Sequence, residues 1–266
     1  MHERERQAVI LSAVQDRTVA TVAELCSLTG ASEATIRRDI AALHLQKKLR
    51  RVRGGAESVG PKAYPGLAGR PFSVNKTLRI VQKQSIARAA VDLCDDGDAI
   101  IINGGTTTLQ MVHPLATRQC EVFTNSFPIA DHLLKNSENT VMMSGGIAYR
   151  EQNIILSPFA NDVTANFCAR RMFMGAHGVG PLGVMEADPL IVQAEEKLIG
   201  QADELVLLVD SSKFQARSSL LLCPLKRVDI LITDEGISDQ HAAMIEGADI
   251  RLIVARPSSA AEKTAP

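Results

Sequence analysis

Between residues 98 and 255 the chain alternates seven apolar runs with helix-like segments, and this alternation constrains the fold more than any other feature. The runs are DAIIING (98–104), EVFTNS (121–126), TVMMSGG (140–146), RRMFMGAHGV (170–179), ELVLLVD (204–210), VDILITD (228–234) and IRLIVA (250–255). Apolar runs without polar alternation predict strands that are buried on both faces. Helical patterns near 77–94, 106–116, 127–136, 160–168, 187–202 and 238–246 separate them. The pattern therefore predicts an α/β domain with a mainly parallel sheet.

The first 57 residues have a different pattern, typical of three short helices followed by a hairpin. A first helix is predicted over residues 4–15. Thr21 and Glu24 have the spacing of a capping box, and Gly30 ends the second helix. Ser32 can cap a third helix whose apolar positions repeat at i, i+4 and i+7, namely Ile36, Ile40 and Leu43. Two compact helices separated by a short segment with glycine indicate a helix-turn-helix.

Positive charge is concentrated in the same region. Residues 1–57 hold ten Lys or Arg against seven Asp or Glu, a net charge of +3 in a chain of net charge −1, which leaves −4 on the remainder. With Ile36, Ile40 and Leu43 turned inward, the start of the third helix faces outward, as in a recognition helix that enters the major groove. The residues predicted to contact base edges or phosphates from it are Ser32, Glu33, Thr35, Arg37 and Arg38.

A second basic cluster, KKLRRVRGGA, alternates cations with Leu49 and Val52. We interpret it as a two-stranded wing whose cations lie along the DNA backbone. The predicted phosphate contacts are Lys47, Lys48, Arg50, Arg51 and Arg53. The alternative is that both clusters form only the solvated face of a small helical domain; their coincidence with a helix-turn-helix and a hairpin favours DNA binding.

Composition shifts predict the domain boundaries. Residues 58–75 (SVGPKAYPGLAGRPFSVN) contain three prolines and three glycines and are interpreted as a linker. We therefore expect a DNA-binding domain over 1–57, a linker over 58–75, a larger domain over 76–255 and a disordered tail over 256–266. No apolar run is long enough to span a membrane, the N-terminus lacks a signal-peptide pattern, and a cytoplasmic location is expected. The five cysteines have no metal-site or redox spacing, so neither a metal nor a cofactor is predicted.

Three loops in the larger domain follow the ends of predicted strands and are rich in glycines or hydroxyl side chains. Such loops can bind a polar or phosphorylated ligand, since ligands of open α/β sheets bind at the carboxyl ends of strands. Each loop alone could equally be a tight connection. The candidate ligand contacts in them are Asn103, Gly104, Gly105, Thr106, Thr107, Thr108, Thr124, Asn125, Ser126, Gly145 and Gly146, with Ser144 beside the last two.

Charged residues near the same edge complete the predicted site. Asp210 and Lys213 follow another strand, and Glu195 lies on the predicted helix of EADPLIVQAEEKLI. A lysine and a carboxylate at the mouth would suit a sugar phosphate, and they would also suit an isomerase that moves a proton. Glu195, Glu196 and Lys197 could instead form a charged outer helix face. His113, His177 and His241 match no site motif.

These motifs together resemble the DeoR family of bacterial transcriptional regulators. The resemblance rests on TVATVAELCSLTGASEATIRRDIAAL and LRRVRGGA, and on Gly105-Thr106-Thr107, Thr124-Asn125-Ser126, Gly145-Gly146 and Asp210-Ser211-Ser212-Lys213-Phe214. The sequence departs from the family pattern between the third helix and the wing, where Leu43-His44 and Gln46-Lys47-Lys48 stand in place of the usual Leu-Glu and Gly. The stretch MEADPLIVQAEEK also departs from the family pattern. The resemblance implies a winged helix-turn-helix joined to an effector domain that shares the fold of ribose-5-phosphate isomerase and glucosamine-6-phosphate deaminase.

From this we expect a repressor of a carbohydrate-catabolism operon that binds operator DNA as a homodimer or homotetramer. Its DNA binding would respond to a sugar phosphate or related metabolite. Two alternatives remain open: a sugar-phosphate isomerase or deaminase with an appended DNA-binding head, and an oligomerisation scaffold without a ligand. Turnover of sugar phosphates and ligand-induced thermal shifts distinguish the three.

Overall fold

The computed structural model describes residues 2–17, 19–58, 72–159 and 162–257, and the chain divides into two compact units, Met1–Gly66 and Leu67–Pro266. Most of the stretch interpreted as a linker, and the tail beyond residue 257, lie outside the described residues. The last part of the linker stretch, Phe72–Asn75, is a helical turn (α4). Phe72 is buried, and its backbone amide donates to the carbonyl of Glu151, so this turn packs within the second unit.

The first unit contains the expected helices. Helix α1 spans Glu3–Arg17, α2 spans Val22–Thr29 and α3 spans Glu33–Leu45. The capping box is present: the Glu24 amide donates to Thr21 Oγ1 at 3.2 Å, and the Thr21 amide donates to Glu24 Oε2 at 2.9 Å. Gly30 ends α2 at a φ of +67°, in the left-handed region that glycine adopts without strain. The predicted helix-turn-helix is confirmed.

A three-stranded antiparallel sheet completes the first unit, with β1 at Val19–Thr21, β2 at Leu49–Val52 and β3 at Gly55–Ser58. The order is β1-β3-β2, so the predicted two-stranded wing gains a third strand from the segment before α2. Gly55 has no room for a side chain, because a Cβ there would overlap the backbone of Ala20 on β1. The unit has its own core, formed by Ile10, Val14, Leu25, Ile36, Ile40, Leu43 and Leu49.

The second unit is built on a seven-stranded parallel sheet, as the apolar runs predict. In chain order the strands are β4 (Ala99–Ile102), β5 (Glu121–Thr124), β6 (Thr140–Met143), β9 (Ala169–Met174), β12 (Ala202–Leu208), β14 (Ile230–Asp234) and β15 (Arg251–Ala255). Their spatial order is β15-β14-β12-β9-β4-β5-β6. Successive residues along a strand point to opposite faces of the sheet, so Ile100 and Ile102 pack in one core cluster and Ile101 in the other. Burial on both faces is the physical reason for the continuous apolar runs.

Helices cover the sheet. They are α5 (Ile80–Val91), α6 (Val112–Leu115), α7 (Phe127–Asn136), α8 (Pro189–Ile199) and α9 (Asp239–Glu246), and a 3₁₀ turn, Thr108–Met111, precedes α6. The segment predicted as a helix over 160–168 holds a single 3₁₀ turn, Val163–Asn166, in its described part.

Two small antiparallel elements stand beside the sheet and differ from the predictions. The hairpin of β7 (Ile147–Tyr149) and β8 (Ile154–Leu156) follows β6. The run expected as one strand over 170–179 ends at Met174. Its last part starts a second sheet of β10 (Gly178–Gly180), β11 (Gly183–Glu186) and β13 (Leu220–Cys223). Both additions bring residues to the carboxyl edge of the parallel sheet.

Candidate functional sites

Helix α3 presents its basic residues because its opposite side is buried. Ile36, Ile40 and Leu43 are at most 2% exposed. Ser32 is the N-cap and accepts the Thr35 amide at 3.4 Å. Arg37 and Arg38 are exposed on the same helix. Arg37 pairs with Glu33 one turn earlier at 3.1 Å, while Arg38 has no ion-pair partner among the described residues.

A buried carboxylate fixes the orientation of α3. Asp39 follows the two arginines, and its side chain is 6% exposed. It accepts the Arg6 guanidinium of α1 at 2.5 Å through Oδ2 and at 3.3 Å through Oδ1. The hydrogen bond and the charge of Asp39 raise the pKa of Arg6. This bidentate pair ties α1 to α3, so the acid next to Arg37 and Arg38 holds the helix that displays them.

The wing carries the second basic cluster. Arg50 lies opposite Glu57 on β3 and pairs with it at 2.8 Å. Four further cations of this cluster have exposed side chains and no ion-pair partner in the described part of the chain: Lys47, Lys48, Arg51 and Arg53. Exposed pairs such as Arg50–Glu57 contribute about 0–1 kcal/mol. Arg50 can therefore exchange its partner for a phosphate at little cost.

The turn between α3 and the wing keeps its shape without the usual glycine. Lys47 adopts a φ of +56°, and the next amide, of Lys48, donates to the Leu43 carbonyl at 3.0 Å. A lysine in this region is strained relative to glycine. His44 Nδ1 lies 3.3 Å from the Leu49 carbonyl, at the start of β2. A groove of about 560 Å³ lies between α3 and the wing, lined among others by Arg37, His44, Arg51 and Arg53.

A second cavity, of about 100 Å³, lies at the carboxyl edge of the parallel sheet. Seven of the fourteen residues predicted from sequence line it: Asn103, Gly104, Gly105, Thr106, Thr107, Glu195 and Lys213. Glycine is required at Gly104, where a Cβ would overlap Ile154 of β8, and Gly105 has a hydroxyl of Thr108 closely packed against it. The backbone of this loop therefore lies directly at the cavity, without side chains in between.

Asn103 connects the loop to two other elements. Its Nδ2 donates to Glu195 Oε1 on α8 at 2.6 Å, and its Oδ1 accepts the Gly175 amide after β9 at 3.3 Å. Asn103 itself is 1% exposed. Because Asn103 and Glu195 are buried, the hydrogen bond between them is obligatory, since an unpaired buried polar group costs about 1–3 kcal/mol.

The other seven predicted residues do not line the cavity. Thr124 donates to the Ile102 carbonyl at 2.6 Å, and Asn125 accepts the Gly104 amide at 2.7 Å, so both brace the loop from behind. Asp210 caps the turn that carries Lys213. The remaining four are Thr108, which donates to backbone carbonyls, buried Ser126, and Gly145 and Gly146 at the entry to the β7–β8 hairpin.

Lys83 is a buried cation beside the loop that sequence reasoning missed. It is 4% exposed, and its Nζ donates to Thr106 Oγ1 at 3.0 Å and to the Asn75 carbonyl at 2.5 Å. Burial lowers its pKa to about 8, against the opposing charge of Asp210. Lys83 lies on the buried face of α5, where a lysine in a helical pattern gives no indication of a site.

Three cavity residues come from segments that carried no motif. Gln152 lies in the turn of the β7–β8 hairpin, His177 precedes β10, and Glu186 ends β11. Burial raises the pKa of Glu186 and raises that of Glu195 well above its usual range; the charge of Glu186 adds to the effect at Glu195. His177 was set aside in the sequence as matching no motif, yet it lines the cavity.

No helix in the described part of the chain has the length and apolar character needed to cross a bilayer. The chain is similar to known proteins over nearly its whole length. Residues 6–62 match the model of the DeoR-like helix-turn-helix domain, and residues 79–235 match that of the DeoR C terminal sensor domain. The HTH-type transcriptional regulator UlaR of Shigella dysenteriae serotype 1 (strain Sd197) is 28% identical over 253 residues, which cover 95% of this chain and 99% of that protein. UlaR of Escherichia coli O1:K1 / APEC has the same identity and coverage.

Two groups of solved structures are also similar. Ribose 5-phosphate isomerase A from Methanocaldococcus jannaschii has a TM-score of 0.37 and 20% identity, covering 50% of this chain and 53% of that one. The translation factor subunit eIF2B beta from Chaetomium thermophilum has a TM-score of 0.39 and 15% identity, covering 56% and 47%. The sensor-domain match alone takes in more than half of the chain. The chain belongs to the DeoR family of helix-turn-helix transcriptional regulators.

Proposed function

We propose that this regulator represses a carbohydrate-catabolism operon and that a sugar phosphate or related metabolite in the cavity of the second unit modulates its DNA binding. The observation that carries the proposal is the cavity's loop of Gly104, Gly105 and Thr106, with Lys83 and Lys213 beside it. A backbone without Cβ atoms, a hydroxyl and ammonium groups are the groups that bind phosphate. A neutral metabolite would not require two lysines there.

DNA binding is assigned to the exposed basic residues of the first unit. Arg37 and Arg38 would reach base edges or flanking phosphates from α3, with Ser32, Glu33 and Thr35 at its start. Lys47, Lys48, Arg50, Arg51 and Arg53 would contact the backbone from the wing and the turn before it. With six such phosphate contacts, a four-fold rise in salt concentration would lower the affinity for DNA by about three orders of magnitude.

A single module of this size buries too little surface for tight, specific binding, so we propose that the chain acts as a homodimer or homotetramer on two half-sites. The effector changes DNA affinity only if it binds the DNA-competent and incompetent states with different affinities. The predicted linker, residues 58–75, is proposed to take up that change.

We further propose that the chain is not an enzyme, in keeping with the names of its relatives. The cavity does hold two carboxyl groups, Glu186 and Glu195, so the competing isomerase function is tested directly. Purified full-length protein is incubated with aldose and ketose phosphates. Conversion above the rate of a Glu195→Gln variant would favour the isomerase and contradict the proposal.

The main test combines ligand screening with DNA binding by the full-length protein. A panel of sugar phosphates and the matching free sugars is screened by thermal shift, and the hits are added to mobility-shift assays with DNA from beside the chain's own gene. We expect at least one sugar phosphate to raise the melting temperature and to change DNA affinity by about five-fold or more, while the free sugar does neither. Equal responses to phosphorylated and free sugars would refute the assignment of the loop.

A further inference from the structure

Glu195 lies inside the cavity although its sequence neighbourhood suggests a charged surface. Helix α8 buries Glu195, Leu198 and Ile199 on one side. The adjacent Glu196 is exposed, and Lys197 donates to the carbonyls of the loop before residue 160. Asp188 fixes the start of the helix: it accepts the Leu190 amide at 2.8 Å and the Tyr149 hydroxyl at 2.5 Å. The direction of Glu195 into the cavity is therefore set by the anchored helix.

The two oxygens of Glu195 have different surroundings. Oε1 accepts from Asn103 Nδ2, whereas Oε2 is buried and has no hydrogen-bond partner among the described residues. The side chain as a whole is 3% exposed. A buried carboxyl oxygen without a partner is costly, and the residue that carries this one lines the cavity. A molecule bound in the cavity can supply the missing partner.

The titratable groups facing Glu195 determine which partner suits it. Glu186 at the end of β11, His177 before β10 and Lys213 after β12 line the same cavity. The Glu186 carboxylate accepts the Ala187 amide at 2.8 Å, and Lys213 acts on Glu186 by its charge. Burial and the neighbouring Glu186 both oppose ionisation of Glu195. Both effects favour the protonated form, in which Glu195 has a hydroxyl to donate.

We propose that Glu195 determines the effector's chemical class: its protonated carboxyl group donates from Oε2 to a hydroxyl or carbonyl oxygen, so that the cavity accepts a phosphorylated neutral sugar or polyol and rejects a phosphorylated sugar acid. This deepens the proposed function and rests on it. An acid ligand would instead bring a carboxylate next to the charge of Glu186 in a buried space, where like charges repel strongly. A hydroxyl or carbonyl satisfies Oε2 without adding charge.

Matched ligand pairs test the proposal on the unmodified full-length protein. Each pair has one carbon skeleton and differs only at the end opposite the phosphate: glycerol 3-phosphate and 3-phosphoglycerate, erythritol 4-phosphate and 4-phosphoerythronate, glucitol 6-phosphate and 6-phosphogluconate. Calorimetric titration at pH 7 also includes inorganic phosphate. In the pair that fits the cavity, we expect the alcohol to bind at least about ten-fold more tightly than the acid, the order of one lost hydrogen bond.

Variants separate the donor role from simple packing. Glu195→Gln keeps an acceptor for Asn103 and supplies an N–H donor in place of the acid proton. We expect it to bind the alcohol within about three-fold of wild type at pH 7 and to lose affinity less steeply as the pH rises, since only the wild type can ionise there. Glu195→Ala should weaken the alcohol by about ten-fold and leave inorganic phosphate unchanged. Glu196→Gln, the exposed neighbour, should match wild type throughout.

The outcomes separate a failure of this inference from a failure of the proposed function on which it rests. If neither inorganic phosphate nor any of the six compounds binds, the sugar-phosphate function itself is overturned. If an acid binds as tightly as its alcohol, only the present inference is overturned. A folded Glu195→Gln variant that no longer binds the alcohol would show that the ionised carboxylate is needed and would likewise overturn it.

Discussion

Replacing Lys83 with methionine tests whether the buried ammonium group belongs to the phosphate site. Methionine has a similar length and no charge, so it removes the donor to Thr106 and Asn75 while filling the space on α5. A hydrogen bond that involves a charged group contributes about 1.5–3 kcal/mol. We therefore expect the effector to bind about 10- to 150-fold more weakly to Lys83→Met. Free sugars, which lack the phosphate, should give no thermal shift with either the wild type or the variant.

The pH dependence provides a sharper measure of the same group. The pKa of Lys83 is lowered to about 8, first by burial, and a bound phosphate favours the charged form. Binding therefore takes up a proton above pH 8, and the wild-type affinity should fall by up to ten-fold per pH unit as the pH rises through this value. The ligand does not contribute to this slope, because the second pKa of a phosphate monoester is about 6.

The assay is calorimetric titration of the full-length protein from pH 7 to pH 9.5 with the sugar phosphate that gives the largest thermal shift. Lys226→Met serves as the control, because Lys226 is exposed and lies on the turn before β14, away from the residues that line the cavity. We expect the control to keep both the wild-type affinity and its slope. If Lys83→Met binds as tightly as wild type with the same loss above pH 8, the assignment of Lys83 to the phosphate site is refuted.

Three further predictions test the core of the first unit, the recognition helix on its surface, and the buried Glu195 of the second unit. Leu25→Ala removes a fully buried side chain of α2 and should destabilise the first unit by about 2–5 kcal/mol, against the roughly 3–9 kcal/mol of stability expected for about 60 residues. Calorimetry should therefore show a lower melting temperature for this unit and mobility-shift assays weaker DNA binding; Leu28→Ala on the same helix, 49% exposed, should change neither. Arg38→Ala should weaken operator binding by about 1–3 kcal/mol in a mobility-shift assay at fixed salt, without lowering the melting temperature. If its effect is no larger than that of Arg88→Ala, a change at an exposed arginine of the second unit, α3 is not the recognition helix. Glu195→Gln should stabilise the ligand-free protein. Because burial raises the pKa of Glu195, the wild type loses stability as the pH rises above about 4.5, so the difference in melting temperature between variant and wild type should grow between pH 5 and pH 8. A difference that stays constant would contradict the burial of an ionisable acid.

The sequence predicted the elements whose signals are local. The capping residues Thr21, Glu24 and Ser32 act within one helical turn, and the apolar runs from Ile100 to Ile253 reflect burial that every strand of a two-sided parallel sheet shares. The Gly104-Gly105 loop was predictable for the same reason, because a close backbone approach requires glycine at that position itself. Departures occurred where short apolar segments left the main sheet, as at β10, since a run of residues does not specify its pairing partner.

The order of residues is enough to predict two units, a basic helix-turn-helix with a wing and a parallel α/β domain, because helical and strand periodicity, caps and glycines are local properties of the chain. Seven residues of the cavity are predictable from sequence, whereas Lys83, His177 and Glu186 are brought to the cavity or its loop only by packing. Lys83 resembles a surface charge in its helix, His177 follows β9 and Glu186 ends β11, and none of them carries a motif. Packing nevertheless places Lys83 beside the loop and the other two on the cavity wall. The physical reason is that burial and its effect on a charge depend on neighbours distant in sequence, as Asn103 is from Glu195.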